Sequence, residues 1–119
     1  PEVVKLVVRM AGEIGADIVK TDYTGTIESF KEVVDSSPIP VMIAGGARTQ
    51  TFRQTLEVVE DAMTAGAAGV FFGRNVFQVP DPTAMVKALT AIVHKQATVA
   101  EALRLAGDSV DLSSWQYFP

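Results

Sequence analysis

The pattern that most restricts the fold is a strict alternation of two periodicities along the chain. Val3, Val4, Leu6, Val7, Met10, Ala11 and Ile14 recur at helical spacing, and Gly15 stands just past the last turn, where a glycine commonly ends a helix. Ala16-Asp17-Ile18-Val19-Lys20 then reads as a short strand. Thr24 or Thr26 can cap a second helix with apolar positions Ile27, Phe30, Val33 and Val34, since a threonine hydroxyl can accept from a free N–H of the first turn. Ser36 to Pro40 cannot continue that helix. Val41-Met42-Ile43-Ala44 is an apolar run of strand length, closed by Gly45-Gly46. Thr49 or Thr51 can cap a third helix through Phe52, Leu56, Val59 and Met63, which Gly66 ends. Ala68-Gly69-Val70-Phe71-Phe72 is a third strand, closed by Gly73, and a short helical turn begins at Asn75. Asp81 as cap and Pro82 at the first position open a helix running to about His94, because proline there sacrifices no hydrogen bond. Thr98 and Glu101 form a capping box for a helix from Val99 to Ala106.

Helices between near-continuous apolar strands imply an α/β fold with a parallel sheet and right-handed crossovers. Composition agrees with a folded chain: 119 residues, 48% hydrophobic and 20% charged. Length alone suggests one small domain over residues 1–107, followed by a tail over 108–119 that carries Trp115, Tyr117 and Phe118. Cysteine is absent and His94 is the single histidine, so no disulfide, cysteine nucleophile or multi-histidine metal site is expected. A net charge of -4 argues against a nucleic-acid surface or a polybasic membrane patch. No apolar run reaches the ~18 residues of a membrane span. No basic segment followed by an apolar one opens the sequence, so a cytoplasmic protein is expected.

In parallel α/β folds function sits at the carboxyl ends of the strands. Here those ends are Lys20-Thr21, Gly45-Gly46 and Gly73-Arg74-Asn75. Lys20 lies in alternation with Ala16 and Ile18. If that face is enclosed, desolvation disfavours the ammonium and leaves an amine able to attack a carbonyl. A solvated strand-end lysine or a simple phosphate ligand is the plainer alternative. Gly45-Gly46 can turn sharply and present N–H groups ahead of a helix N-terminus, which suits a phosphate, or can be a tight turn and nothing more. Gly73 allows close approach and Arg74 offers a charged fork, against the alternative of a structural ion pair. Arg48 can add to the anion field. Asp17, on the face opposite Lys20, is expected to pair with a helix residue. Asp22 and Tyr23 can line the site mouth, with Tyr23 a packing residue before a proton donor. Glu57, Glu60 and Asp61 are expected on a solvated helix face, and His94 near a helix C-terminus is not expected to be catalytic.

Taken together and in order, Ala16 to Thr21, Ile43 to Gly46 and Gly73 to Gln78 resemble the class I aldolases of the archaeal fructose-bisphosphate aldolase type, the DeoC/FbaB-like family. Glu60 to Met63, Ala65 to Val70 and Val93-His94 add to the resemblance, which covers roughly residues 2 to 106. It implies a (β/α)8 TIM barrel of which this chain supplies about the last three βα units. It further implies that Lys20 is the Schiff-base lysine on the sixth strand. Ala44, Gly45 and Gly46 would form the phosphate loop after the seventh strand, and Gly73 and Arg74 its second half after the eighth. The implied reaction is metal-free and cofactor-free: a lyase making or cleaving a carbon–carbon bond of a phosphorylated, fructose-bisphosphate-like ketose, as in glycolysis or gluconeogenesis. Within the same family, a phosphorylated-dione thiolase or a sugar synthase would share these residues. Outside it, the glycine turns suit a non-catalytic phosphate-binding half-barrel.

A whole barrel takes about 250 residues. The family's tyrosine acid/base and first-strand aspartate have no counterpart here, so an isolated chain of this length is expected to lack full turnover. Three parallel strands also leave two edges and one face uncovered. Completion by the missing N-terminal barrel strands, or assembly into a homo-oligomer, is therefore expected.

Overall fold

The computed structural model describes residues 1–45, 49 and 51–107. The elements follow the order α1 (Glu2–Glu13), β1 (Val19–Thr21), α2 (Ile27–Asp35), β2 (Val41–Ala44), α3 (Phe52–Thr64), β3 (Gly69–Phe71), α4 (Arg74–Phe77), α5 (Pro82–Lys95) and α6 (Val99–Ala106). They divide between two compact units. The first takes in Pro1–Gly46 and Asp61–Phe71, and the second the remainder.

The first unit holds a parallel sheet of order β1-β2-β3. Val19, Lys20 and Thr21 pair with Val41, Met42 and Ile43, and Met42, Ile43 and Ala44 pair with Gly69, Val70 and Phe71. Backbone bonds beyond the strands lengthen the ladder: Val19 N–H donates to Pro40 O at 3.0 Å and Ala68 N–H to Val41 O at 2.8 Å. Since side chains alternate across a sheet, Val19, Val41 and Ile43 share one face and are buried there. Lys20, Met42, Ala44 and Phe71 share the other, and Lys20 and Phe71 are exposed.

Both helices that lead directly into an edge strand end in the same way. Gly15 has φ +97° and Gly66 φ +103°. Gly15 N–H donates to Gly12 O and Ala16 N–H to Ala11 O, while Gly66 N–H donates to Met63 O and Ala67 N–H to Ala62 O. This paired closure ties up the last helical carbonyls and needs a left-handed residue, which favours glycine. It also corrects the boundary of β1. The expected strand over Ala16–Lys20 begins only at Val19, because Ala16 is still tied to the helix. Likewise β3 is Gly69–Phe71 rather than Ala68–Phe72.

The apolar spacing of α1 has an outcome that periodicity did not show. Only Val8 is fully buried, whereas Val3, Leu6, Val7, Met10 and Ile14 are between 50% and 85% exposed. The helix therefore carries apolar residues on two sides, one against β1 and one open to solvent. On the packed side Gly12 sits so close to Pro38 that a Cβ would overlap the proline ring. Lys5 bridges α1 to α2 through Glu32 at 2.9 Å.

The second unit is built on well-capped helices. Thr51 and Gln54 form a reciprocal pair at the start of α3, each backbone N–H meeting the other's side chain at 3.2 Å. Asp81 accepts from Ala84 N–H at 3.0 Å at the start of α5. The Thr98–Glu101 capping box opens α6. α5 buries Ala84, Met85, Ala88, Leu89 and Ile92 and packs against α6. The expected tail, with Trp115, Tyr117 and Phe118, lies outside the described residues.

Candidate functional site

The site begins with the alternation of β1. Val19 must face the core, so Lys20 must point the other way, beside Ile18 on the open face. Its Nζ lies 5.9 Å from the centroid of the Phe71 ring on β3. The lysine thus stands exposed on its side of the sheet, one residue before β1 ends.

At the end of β2, Ala44 and Gly45 are half-buried. Gly45 N–H donates to Phe71 O at 3.2 Å, so this amide continues the β2–β3 ladder. Gly46 and Arg48 lie outside the described residues. Gly73 and Arg74 belong to the second unit, where Gly73 precedes the single turn of α4 and both residues are exposed. Arg74 makes no ion pair among the described residues.

The neighbouring polar residues sort themselves by partner. Tyr23 donates its hydroxyl to Asp61 Oδ2 at 3.4 Å and packs its ring 5.3 Å from that of Phe30. Burial, then the adjacent Asp61 carboxylate, push the phenol up to about 12. Both act against the phenolate, and Tyr23 is a packing residue here. Asp22 is exposed. Asp17 is exposed and makes no ion pair among the described residues, contrary to the expected helix partner, because it precedes β1 rather than lying within it.

The acidic group of α3 is not simply solvated as expected. Glu57 faces Arg53 at 3.7 Å, Glu60 accepts the Val99 N–H at 3.3 Å, and Asp61 takes the tyrosine. Glu60 thereby satisfies a free amide at the start of α6, which favours negative charge. His94 is exposed in the last turn of α5. No group of three His, Asp or Glu residues able to hold a metal occurs among the described residues. No helix among them is long and apolar enough to cross a membrane.

Phe71 escaped sequence reasoning. The signal was available in parity: it stands two residues after Gly69 and shares the face that Lys20 occupies.

The parallel βα order, with function expected at the carboxyl ends of its strands, is that of barrel-type enzymes, and the aldolases are one such class. The family model for DeoC/LacD family aldolases matches residues 1–79, and the chain belongs to that family. It is 52% identical over 104 residues to the 2-amino-3,7-dideoxy-D-threo-hept-6-ulosonate synthase of Halobacterium salinarum, covering 87% of this chain and 39% of that protein. An uncharacterised aldolase of Saccharolobus solfataricus is 44% identical, with 87% and 38% covered. Among solved structures, an archaeal fructose 1,6-bisphosphate aldolase superposes with TM-score 0.76 at 38% identity, over 80% of this chain and 38% of that one. A Schiff-base-forming fructose-1,6-bisphosphate aldolase matches with the same TM-score at 39% identity, over 79% and 38%. The chain thus spans about two-fifths of the length of the relatives it matches.

Proposed function

We propose that this chain provides the imine-forming lysine and the phosphate-holding turns of a class I aldolase barrel acting on a phosphorylated ketose. One observation carries this reading. Lys20 stands on the open sheet face near the carboxyl end of a parallel sheet, in a chain whose similar solved structures include a Schiff-base-forming aldolase. The Lys20 amine attacks the ketose carbonyl, whose oxygen leaves as water, and the nitrogen carries the positive charge of the iminium. The bond between the first and second carbons beyond the iminium carbon then breaks. Its electron pair moves into the iminium, while the hydroxyl of the departing aldehyde gives up its proton. By the family resemblance, phosphate binding is assigned to Ala44, Gly45 and Gly46 after one strand and to Gly73 and Arg74 after the next. The Gly45 N–H itself is engaged in the ladder.

The proton-transfer residue comes from further βα units, which also complete a (β/α)8 barrel. Supporting this are the unpaired side of β1 and the apolar stripe of α1, which leave a parallel strand and its helix a continuous seat. The substrate is fructose-bisphosphate-like or, given the similarity to the Halobacterium synthase, a precursor of an amino-dideoxy-heptulosonate.

The test is borohydride trapping with dihydroxyacetone phosphate on the complete barrel. A single adduct on the Lys20 peptide is expected, and Lys20→Met should abolish it while leaving phosphate affinity nearly intact. Full turnover in Lys20→Met sinks the reading. Phosphate binding without any adduct instead selects the non-catalytic half-barrel. Product analysis with both donor sugars separates aldolase from synthase.

A further inference from the structure

Phe71 is a large apolar residue, 55% exposed, at the last position of β3. Core packing does not account for it. Its backbone is pinned, because its carbonyl accepts the Gly45 N–H, so the ring turns about a fixed Cα. Small residues stand nearest it on this face: Gly69 two positions before it on β3 and Ala44 beside it on β2, while Met42 of β2 lies on the row of Lys20. The Lys20 Nζ sits 5.9 Å from the ring centroid, within the range at which an aromatic face attracts a cation.

We propose that Phe71 is a positioning residue for Lys20, holding the amine over its ring and stabilising the positive charge of the imine formed there. This deepens the aldolase reading and rests on it. The ammonium first gives a proton to solvent; the amine then adds to the carbonyl carbon of an aldehyde, the carbonyl oxygen leaves as water, and the imine nitrogen takes a proton back from solvent. The protonated imine is a cation held where the ammonium was. The ring quadrupole favours this charged form over the neutral imine and does not contact the departing oxygen. Units that close over this face would dry it and strengthen the effect, since cation–π attraction grows with desolvation.

The test uses the full polypeptide and pyridoxal 5′-phosphate, whose protonated and neutral lysine imines absorb at different wavelengths. Phe71→Leu keeps an apolar side chain but removes the π face. It should lower the ratio of protonated to neutral imine about two- to five-fold, with an unchanged circular-dichroism spectrum. Phe71→Tyr should restore the ratio, which a merely space-filling role would not require. An unchanged ratio in Phe71→Leu overturns the proposal, as does a Tyr variant that behaves like the Leu variant. Because Lys5, Lys31, Lys87 and Lys95 also offer amines, the Lys20 bands are taken as the difference between the unaltered protein and Lys20→Met, and borohydride reduction with peptide mapping assigns them. If no difference band and no reduced adduct on the Lys20 peptide are found, the aldolase reading falls together with this one. If both are found while Phe71→Leu matches the unaltered protein, only the role of Phe71 is lost.

Discussion

The two faces of the three-stranded sheet were made by one alternating pattern and have opposite characters. Val19, Val41 and Ile43 are buried on one side. On the other, Ile18 and Phe71 are 52% and 55% exposed, and the cation of Lys20 stands among them. The first face is finished, in the sense that its side chains have left water. The second keeps Ile18, Lys20 and Phe71 in contact with water. Stability and reactivity are thus separated by a single residue of register, since shifting a strand by one would exchange the two sets.

Mutations should separate the faces in the same way. Phe30→Ala removes a ring that is fully out of solvent and should cost about 3–5 kcal/mol, read as a lower urea midpoint. Phe71→Ala, on the open face, should stay within about 0.5 kcal/mol. A comparable loss in both would erase the distinction. Gly12→Ala places a methyl into the Pro38 ring on the packed side of α1 and should cost about 1–3 kcal/mol as overpacking. Methyl-bearing residues tolerated there would show that this side is softer than its contacts imply.

Thr98→Ala should cost about 1 kcal/mol of stability through the lost cap and leave imine formation at Lys20 unchanged. Its effect also has a sign in pH. The Thr98 backbone and hydroxyl hold the Glu101 carboxyl below its usual value, so the box stabilises above the ordinary carboxylate pKa. That contribution is lost as pH falls through the lowered one, and the gap between Thr98→Ala and the parent should narrow in acid. The smallest effect concerns Tyr23. Its phenol, at about 12, is raised, so its stabilising share is whole below the unfolded value near 10 and disappears as pH rises through the folded one. Ultraviolet titration in a Tyr117→Phe background should place the ionisation near 12, and Asp61→Asn should move it downward.

Local chemistry was legible in the sequence wherever a short motif closes on itself. Thr26 accepts from Ser29 N–H, Asp81 from Ala84 N–H, and Thr98 and Glu101 close a full box. α6 runs from Val99 to Ala106 as its cap demands, and β2 occupies Val41–Ala44. Less was legible where the outcome depends on what lies next to an element. The stripe of α1 reads as a core face, yet its exposure depends on neighbours that the sequence does not supply. The strand starts at Val19 and Gly69 were masked by helix-closing bonds at Ala16 and Ala67, which periodicity does not register. Lys20 was singled out by its place at a strand end and by the family resemblance, and it stands exposed on β1. Phe71 required the register between strands, which no single segment encodes.

The order β1-β2-β3, in which each strand pairs with its neighbour in sequence, also bears on inheritance. Lys20, the turn at Gly45 and the turn at Gly73-Arg74 lie within one contiguous stretch, connected only by local crossovers. A single genetic exchange ahead of α1 would carry all of them together, already in register. Under the aldolase reading proposed above, whatever further βα units supply could then change without disturbing Lys20.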